Sequence, residues 1–149
     1  MGALTVAEAR RVYLDTNALI AVLEKVGELD GAQTAFVGDI DTGVLEAVTS
    51  ELTLAECLVK PIADKDEPLI RAYLSLLSAD SEIVRVSEVS RAVLLKAARV
   101  RAGTGVRLPD AIHIATATLS RCDAFVSNDR RLASASTMDF KLWSEMGHP

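Results

Sequence analysis

The chain has 149 residues, half of them hydrophobic and a quarter charged, which fits one globular domain with a sizeable core. Aromatic residues make up only 4%, so the core is built from Ala, Val, Leu and Ile, as in helices packed on a parallel sheet, and a single-strand binder that stacks bases on aromatic rings is disfavoured. The formal net charge of -5 alone steers a chain away from nucleic acid, yet residues 89–109 contain no acid and include Arg91, Lys96, Arg99, Arg101 and Arg107.

In chain order, residues 1–10 form a short N-terminal extension with a turn of helix over residues 7–10, and the domain proper spans 11–149. Val12, Tyr13 and Leu14 make a strand that Asp15, Thr16 and Asn17 end, and a helix follows from Ala18. A second helix lies between Leu29 and Val37, before a turn region over residues 38–43. Residues 45–49 read as a strand, and Ser50 caps a helix that Pro61 ends. Another helix opens near Pro68, with apolar residues at Leu69, Ile70, Tyr73, Leu74 and Leu77. Residues 83–86 form a third strand, and a long helix marked by Val89, Val93, Ala97 and Val100 closes at Gly103, Thr104 and Gly105. Pro109 opens a helix through Leu119; residues 124–127 form a fourth strand, residues 131–133 a short helix and residues 140–143 a last strand. The alternation predicts an α/β fold: one domain with a central parallel sheet of about five strands flanked by helices.

Four acids stand at strand ends or helix starts: Asp15, Glu56, Asp110 and Asp129. In a parallel sheet the carboxyl ends of the strands share one edge, where ligands bind, and this topology lets the four converge. Two unit charges about 4 Å apart repel by about 4 kcal/mol at an effective dielectric of 20, a repulsion that a hard cation held by oxygen relieves. Neither the lone Cys57 and Cys122 nor the two histidines have zinc-ligand spacing, so Mg²⁺ or Mn²⁺ is expected, activating water against a phosphodiester. Each acid has a plainer explanation as well. Asp15 and Asp129 read equally as helix caps, Asp110 as a first-turn acid complementing the helix dipole, and Glu56 as an ion-pair partner of Lys60.

The segments Leu14-Asp15-Thr16-Asn17, Thr49-Ser50-Glu51-Leu52-Thr53-Leu54-Ala55-Glu56, Pro109-Asp110-Ala111-Ile112-His113-Ile114-Ala115-Thr116-Ala117 and Val126-Ser127-Asn128-Asp129 occur in an order that resembles PIN-domain ribonucleases, specifically VapC-type toxins of toxin-antitoxin pairs. The resemblance implies a single PIN-like domain and a Mg²⁺- or Mn²⁺-dependent endoribonuclease that leaves a 5′-phosphate. Asp15 and Asp110 would be the principal metal ligands, with Glu56 and Asp129 completing a site in which all four are catalytic. Thr16, Asn17 and Asn128 take supporting polar roles. It further implies an RNA substrate, a homodimer and a cognate antitoxin whose tail covers the site, often with an inserted Arg. The apolar residues between Leu69 and Leu77 are offered as the dimer contact.

Glu51 competes with Glu56, but five helical positions turn them about 140° apart, and Glu56 matches the family's later Glu. His113 shares a helical face with Asp110 and invites a general-base role, although such a histidine more often packs. Arg99, Arg101, Arg107, Arg130 and Arg131 are candidates for guiding RNA phosphates, with a solvated helix face as the plain reading of the first three and neutralisation of the acid cluster as that of the last two. Without a secretory leader or an apolar run of membrane-spanning length, the expected setting is the cytoplasm, with no membrane partner. Two other classes compete: a PIN scaffold that binds RNA or a protein partner without cutting, and a phosphatase with Asp15 as nucleophile, which lacks a matching Lys and second motif.

Overall fold

The computed structural model describes residues 9–147; of the helical turn expected over residues 7–10, residues 7 and 8 lie outside them, and Ala9 and Arg10 are not helical. Strands β1 (Arg11–Leu14), β2 (Glu46–Ser50), β3 (Val84–Ser87), β4 (Ala124–Ser127) and β5 (Asp139–Leu142) form one sheet in the order β3-β2-β1-β4-β5. All four pairings are parallel. Between them run helices α1 (Thr16–Glu24), α2 (Gly31–Asp41), α3 (Glu51–Ala63), α4 (Glu67–Leu76), α5 (Arg91–Thr104) and α6 (Leu108–Leu119), with short 3₁₀ turns at Val26–Glu28, Arg130–Ser134 and Trp143–Glu145.

Strand side chains alternate between two buried faces. Val12, Leu14, Ala47, Val84, Ala124 and Val126 pack on one face with residues of α1 to α4, among them Leu19, Phe36, Ile40, Cys57 and Tyr73. Tyr13, Val48 and Phe125 pack on the other with Ile114 and Ala117 of α6, while α5 closes over α6 through Val93, Ala97, Ala111 and Ala115. Tyr13 and Phe125 are register partners across β1 and β4, as Phe125 and Phe140 are across β4 and β5. Their rings stack with centroids 5.1 and 6.2 Å apart, so three of the six aromatic residues form one ladder across β1, β4 and β5. Burying each large apolar side chain of this kind contributes roughly 1.5–3 kcal/mol.

Some boundaries differ from the sequence expectation. Helix α3 runs through Pro61 to Ala63, because a proline near the carboxyl end forfeits a single helical N–H bond, and the carbonyls of Lys60 and Pro61 are taken by the N–H groups of Asp64 and Asp66. Helix α2 continues to Asp41, so most of the expected turn is helical; Phe36 and Ile40, one turn apart, are both buried and hold that last turn on the core. Helix α5 likewise includes Gly103 and Thr104, and only Gly105, at φ 76°, takes the left-handed cap. Of the apolar residues offered for a dimer contact, Tyr73 and Leu77 are buried in this chain's own core and Leu74 is exposed.

The chain steps from β1 outward through β2 to β3, then returns to the other side of β1 with β4. The reversal opens a crevice beyond the carboxyl ends of β1 and β4, the place where open α/β sheets receive ligands. Asp15 follows β1 there, and Asn128 and Asp129 follow β4.

Candidate active site

Asp15 is the N-cap of α1, and its Oδ1 accepts the Thr16 backbone N–H at 2.9 Å. It continues the parity of Tyr13 and therefore points to the α6 side of the sheet. Its Oδ2 accepts the Ser127 hydroxyl at 2.8 Å from the end of β4, and the residue is only 4% exposed. Burial pushes its carboxyl above the ordinary range, against the opposing influence of His113 and the hydrogen bonds from Ser127 and Thr16, and the nearby Asp110 carboxylate pushes the same way as burial.

Glu56 sits in the second turn of α3, whose N-cap Ser50 accepts the Leu52 N–H. Its Oε1 receives two donors, Nε2 of His113 at 2.6 Å and the Thr16 hydroxyl at 2.8 Å. The bond from His113 holds the Glu56 carboxyl below the usual range. The same His113 Nε2 lies 3.6 Å from Oδ1 of Asp15, so one buried ring on α6 ties the two carboxylates together.

Asp110 occupies the first turn of α6, behind Pro109, and is approached by Arg107 Nε at 3.5 Å. Asp129 caps the 3₁₀ turn after β4 through the Arg131 N–H. Its two oxygens are also gripped by the Arg131 guanidinium at 2.9 and 2.7 Å, which holds its carboxyl below the ordinary range. Arg107, Asp110 and Arg131 line a shared cavity of about 220 Å³ with Thr104, Gly105, Val106 and Leu132.

The four carboxylates thus fall into two neighbouring groups, Asp15 with Glu56 around His113, and Asp110 with Asp129 between two arginines. Among the described residues, no three His, Cys, Asp or Glu side chains converge closely enough to hold a metal ion as they stand. The chemistry of the donor set nevertheless suits a hard divalent cation: every candidate ligand is a carboxylate, and the buried Asp15 is disfavoured as an anion by burial and by the neighbouring Asp110 charge.

The supporting residues act in distinct ways. Thr16 donates to Glu56, while Asn17 Oδ1 accepts the Asn128 backbone N–H at 2.7 Å and latches the loop after β4 onto α1. Asn128 takes part through its backbone, and its residue is exposed. Arg130 bonds Glu145 at 2.7 Å and Arg101 bonds the Val106 carbonyl at 2.7 Å, so both serve local structure; Arg99 is exposed on α5. Lys60, the plain ion-pair partner offered for Glu56, bonds Asp64 instead.

Sequence reasoning missed Ser127. It is fully buried, donates to Asp15, and accepts the Asp129 N–H at 3.0 Å, joining the ends of β1 and β4. A hydroxyl ending an otherwise apolar, doubly buried strand was the available signal, since such a group needs partners. The general-base role that the position of His113 invites does not fit its surroundings. At 1% exposure the ring touches two carboxylates and is closed to a substrate.

A family model described as the PIN domain matches residues 12–137. Among solved structures, a toxin-antitoxin complex from Klebsiella pneumoniae is similar at 21% identity, with a TM-score of 0.59, covering 82% of this chain and 90% of that one. VapBC2 from Rickettsia felis bound to a DNA fragment from their promoter is similar at 13% identity and a TM-score of 0.68, covering 89% and 98%. FitAcB from Neisseria gonorrhoeae is similar at 15% identity and a TM-score of 0.66, again covering 89% and 98%. These likenesses show the fold. No curated protein matches.

Proposed function

The chain belongs to the PIN-domain family, a family of nucleases, and on that premise we propose that it is a Mg²⁺- or Mn²⁺-dependent endoribonuclease acting as the toxin of a type II toxin-antitoxin pair. The observation that carries the proposal is the enclosed Asp15 at the sheet's reversal point, with Asp110 close enough to press on its ionisation and Glu56 joined to it through His113. The solved relatives, which include toxin-antitoxin complexes, support a cognate antitoxin as partner. A homodimer working in the cytoplasm completes the reading; among the described residues no helix is long and apolar enough to cross a membrane.

Asp15 and Asp110 would hold the cation principally, with Glu56 and Asp129 completing the set. A divalent cation so held supplies an activated water and stabilises charge on the phosphate in an in-line displacement. The chain's own residues do the rest. Ser127 and the Thr16 N–H fix the Asp15 carboxylate, and Thr16 and His113 fix Glu56. Arg107 and Arg131 line the cavity beside Asp110, the first paired with Asp110 and the second with Asp129. These guanidinium groups, exposed beside the two acids, would give an acidic chain a local edge for RNA phosphates.

The test is cleavage of RNA by the purified chain. Activity should require Mg²⁺ or Mn²⁺ and leave a 5′-phosphate, and Asp15→Asn and Asp110→Asn should each abolish it with the circular dichroism spectrum unchanged. Full activity in excess EDTA, or in both variants, would sink the proposal. RNA binding with no cleavage by the wild-type chain in either metal would point to a scaffold instead.

A further inference from the structure

Behind Glu56 runs a buried polar chain that the proposed hydrolysis leaves unexplained. Tyr13 on β1 is fully buried, and its hydroxyl lies 2.6 Å from Nδ1 of His113, with the rings edge to face at 5.8 Å and 63°. On its far side the imidazole places Nε2 2.6 Å from Glu56 Oε1. The direction of the protons along this chain follows from what each atom must satisfy. A phenol ionises only at about pH 10, so at neutral pH the Tyr13 hydroxyl carries its proton. A buried O–H needs an acceptor, and the hydrogen-bond partner of this one is His113 Nδ1. Thr49, the other polar side chain beside the phenol, gives its own hydroxyl hydrogen to the Leu14 carbonyl at 2.8 Å, so it competes only as an acceptor, and the 2.6 Å contact of the phenol is the one to His113 Nδ1. With Nδ1 accepting, a neutral imidazole carries its hydrogen on Nε2.

We propose that Tyr13 and His113 are a positioning pair, in which the Tyr13 hydroxyl holds His113 in its Nε2–H tautomer so that the ring is a fixed donor to Glu56 and is withheld from metal ligation. The pair has two consequences. Oε1 of Glu56 is occupied by the ring and by the Thr16 hydroxyl, which sets the orientation of the carboxylate relative to Asp15. An Nε2 lone pair at this place, 3.6 Å from Asp15, would add nitrogen to the donor set and favour Co²⁺ or Zn²⁺, whereas an N–H there keeps the set all-oxygen and suited to Mg²⁺ and Mn²⁺. The metal-selective half of this inference rests on the nuclease reading above, while the tautomer does not.

The full chain, free of metal, tests the tautomer by long-range proton–nitrogen correlation NMR, with His113→Gln distinguishing His113 from His148. The expected result is a protonated Nε2 and an unprotonated Nδ1 in the wild type, and a mixture of tautomers in Tyr13→Phe. A protonated Nδ1 in the wild type, or an unaltered tautomer in Tyr13→Phe, overturns the proposal. Calorimetric titration with Mn²⁺ and separately with Co²⁺ tests the positioning role. His113→Asn keeps a polar group opposite Tyr13 but cannot reach Glu56, and should weaken Mn²⁺ binding by about 10–100-fold, the range for groups that orient a metal ligand. His113→Gln, whose amide N–H reaches that distance, should recover most of the loss, and Tyr13→Phe should raise the ratio of Co²⁺ to Mn²⁺ affinity. Equal Mn²⁺ affinity in His113→Asn and wild type, or an unchanged ratio in Tyr13→Phe, overturns it. A wild-type chain that binds neither cation overturns the nuclease reading and the selectivity argument together, and leaves the tautomer to the spectra.

Discussion

Asp15 carries its charge into an enclosed position where a hydroxyl and a backbone N–H offset part of the desolvation, and burial still prevails in pushing its carboxyl upward. A carboxyl raised on folding binds a proton more readily in the folded chain than in the unfolded one. Folding stability contributed by this residue therefore falls as pH rises from the ordinary aspartate range through its raised folded value. Asp15→Asn removes that loss, so the metal-free variant is expected to melt higher than wild type at neutral pH, with the advantage shrinking as the pH falls through the raised folded value and gone below the ordinary aspartate range. Thermal melts across a pH series in EDTA check the sign, and a variant less stable than wild type at neutral pH would refute it. Glu56 and Asp129 are shifted downward by donors from His113 and Arg131, so the same acid differs in its titration with its neighbours. The residue type was visible in the sequence, whereas the electrostatic character of Asp15 and Glu56 was not, because it depends on partners far along the chain, with Ser127 112 positions from Asp15 and Thr16 40 positions from Glu56; Asp129 owes its shift to Arg131, two positions away.

At the scale of elements, local chemistry sets the boundaries and packing moves them. Asp30 and Gln33 form a reciprocal capping box that starts α2, with the Gln33 N–H on Asp30 Oδ1 at 2.8 Å and the Asp30 N–H on Gln33 Oε1 at 3.1 Å. Asp30→Ala should lower unfolding free energy by about 1 kcal/mol in denaturant melts while leaving the site unaltered, as expected for a lost cap. The aromatic ladder is less forgiving. Phe125 lies between Tyr13 and Phe140, so Phe125→Ala should cost about 3–5 kcal/mol and loosen β4 against β1, which would also displace Ser127 from Asp15. Helix and strand identity along the chain was legible from periodicity and caps. The extension of α3 past Pro61 and of α2 through Gly38 was not, because buried contacts overrode the local preference of those residues.

Across the whole molecule, the order β3-β2-β1-β4-β5 brings residues from β1, α3, α6 and the loop after β4 to one crevice. A cation that binds only the folded chain should stabilise it by about 2.7 kcal/mol at a hundredfold excess over Kd. For a chain of this length that is a rise of about 5–10 °C in Tm on adding Mn²⁺, to be read by differential scanning fluorimetry, and Asp110→Asn should remove most of it. The sequence by itself determined the α/β class, the chain order of the elements and the four acids at their ends, because hydrophobic period, caps and punctuation are local properties. Only the tertiary structure decided that Ser127 joins β1 to β4 and that His113 faces Tyr13 and Glu56 rather than solvent. Those are pairings between residues far apart in the chain, and strand order and helix packing, rather than any local preference, bring them into contact.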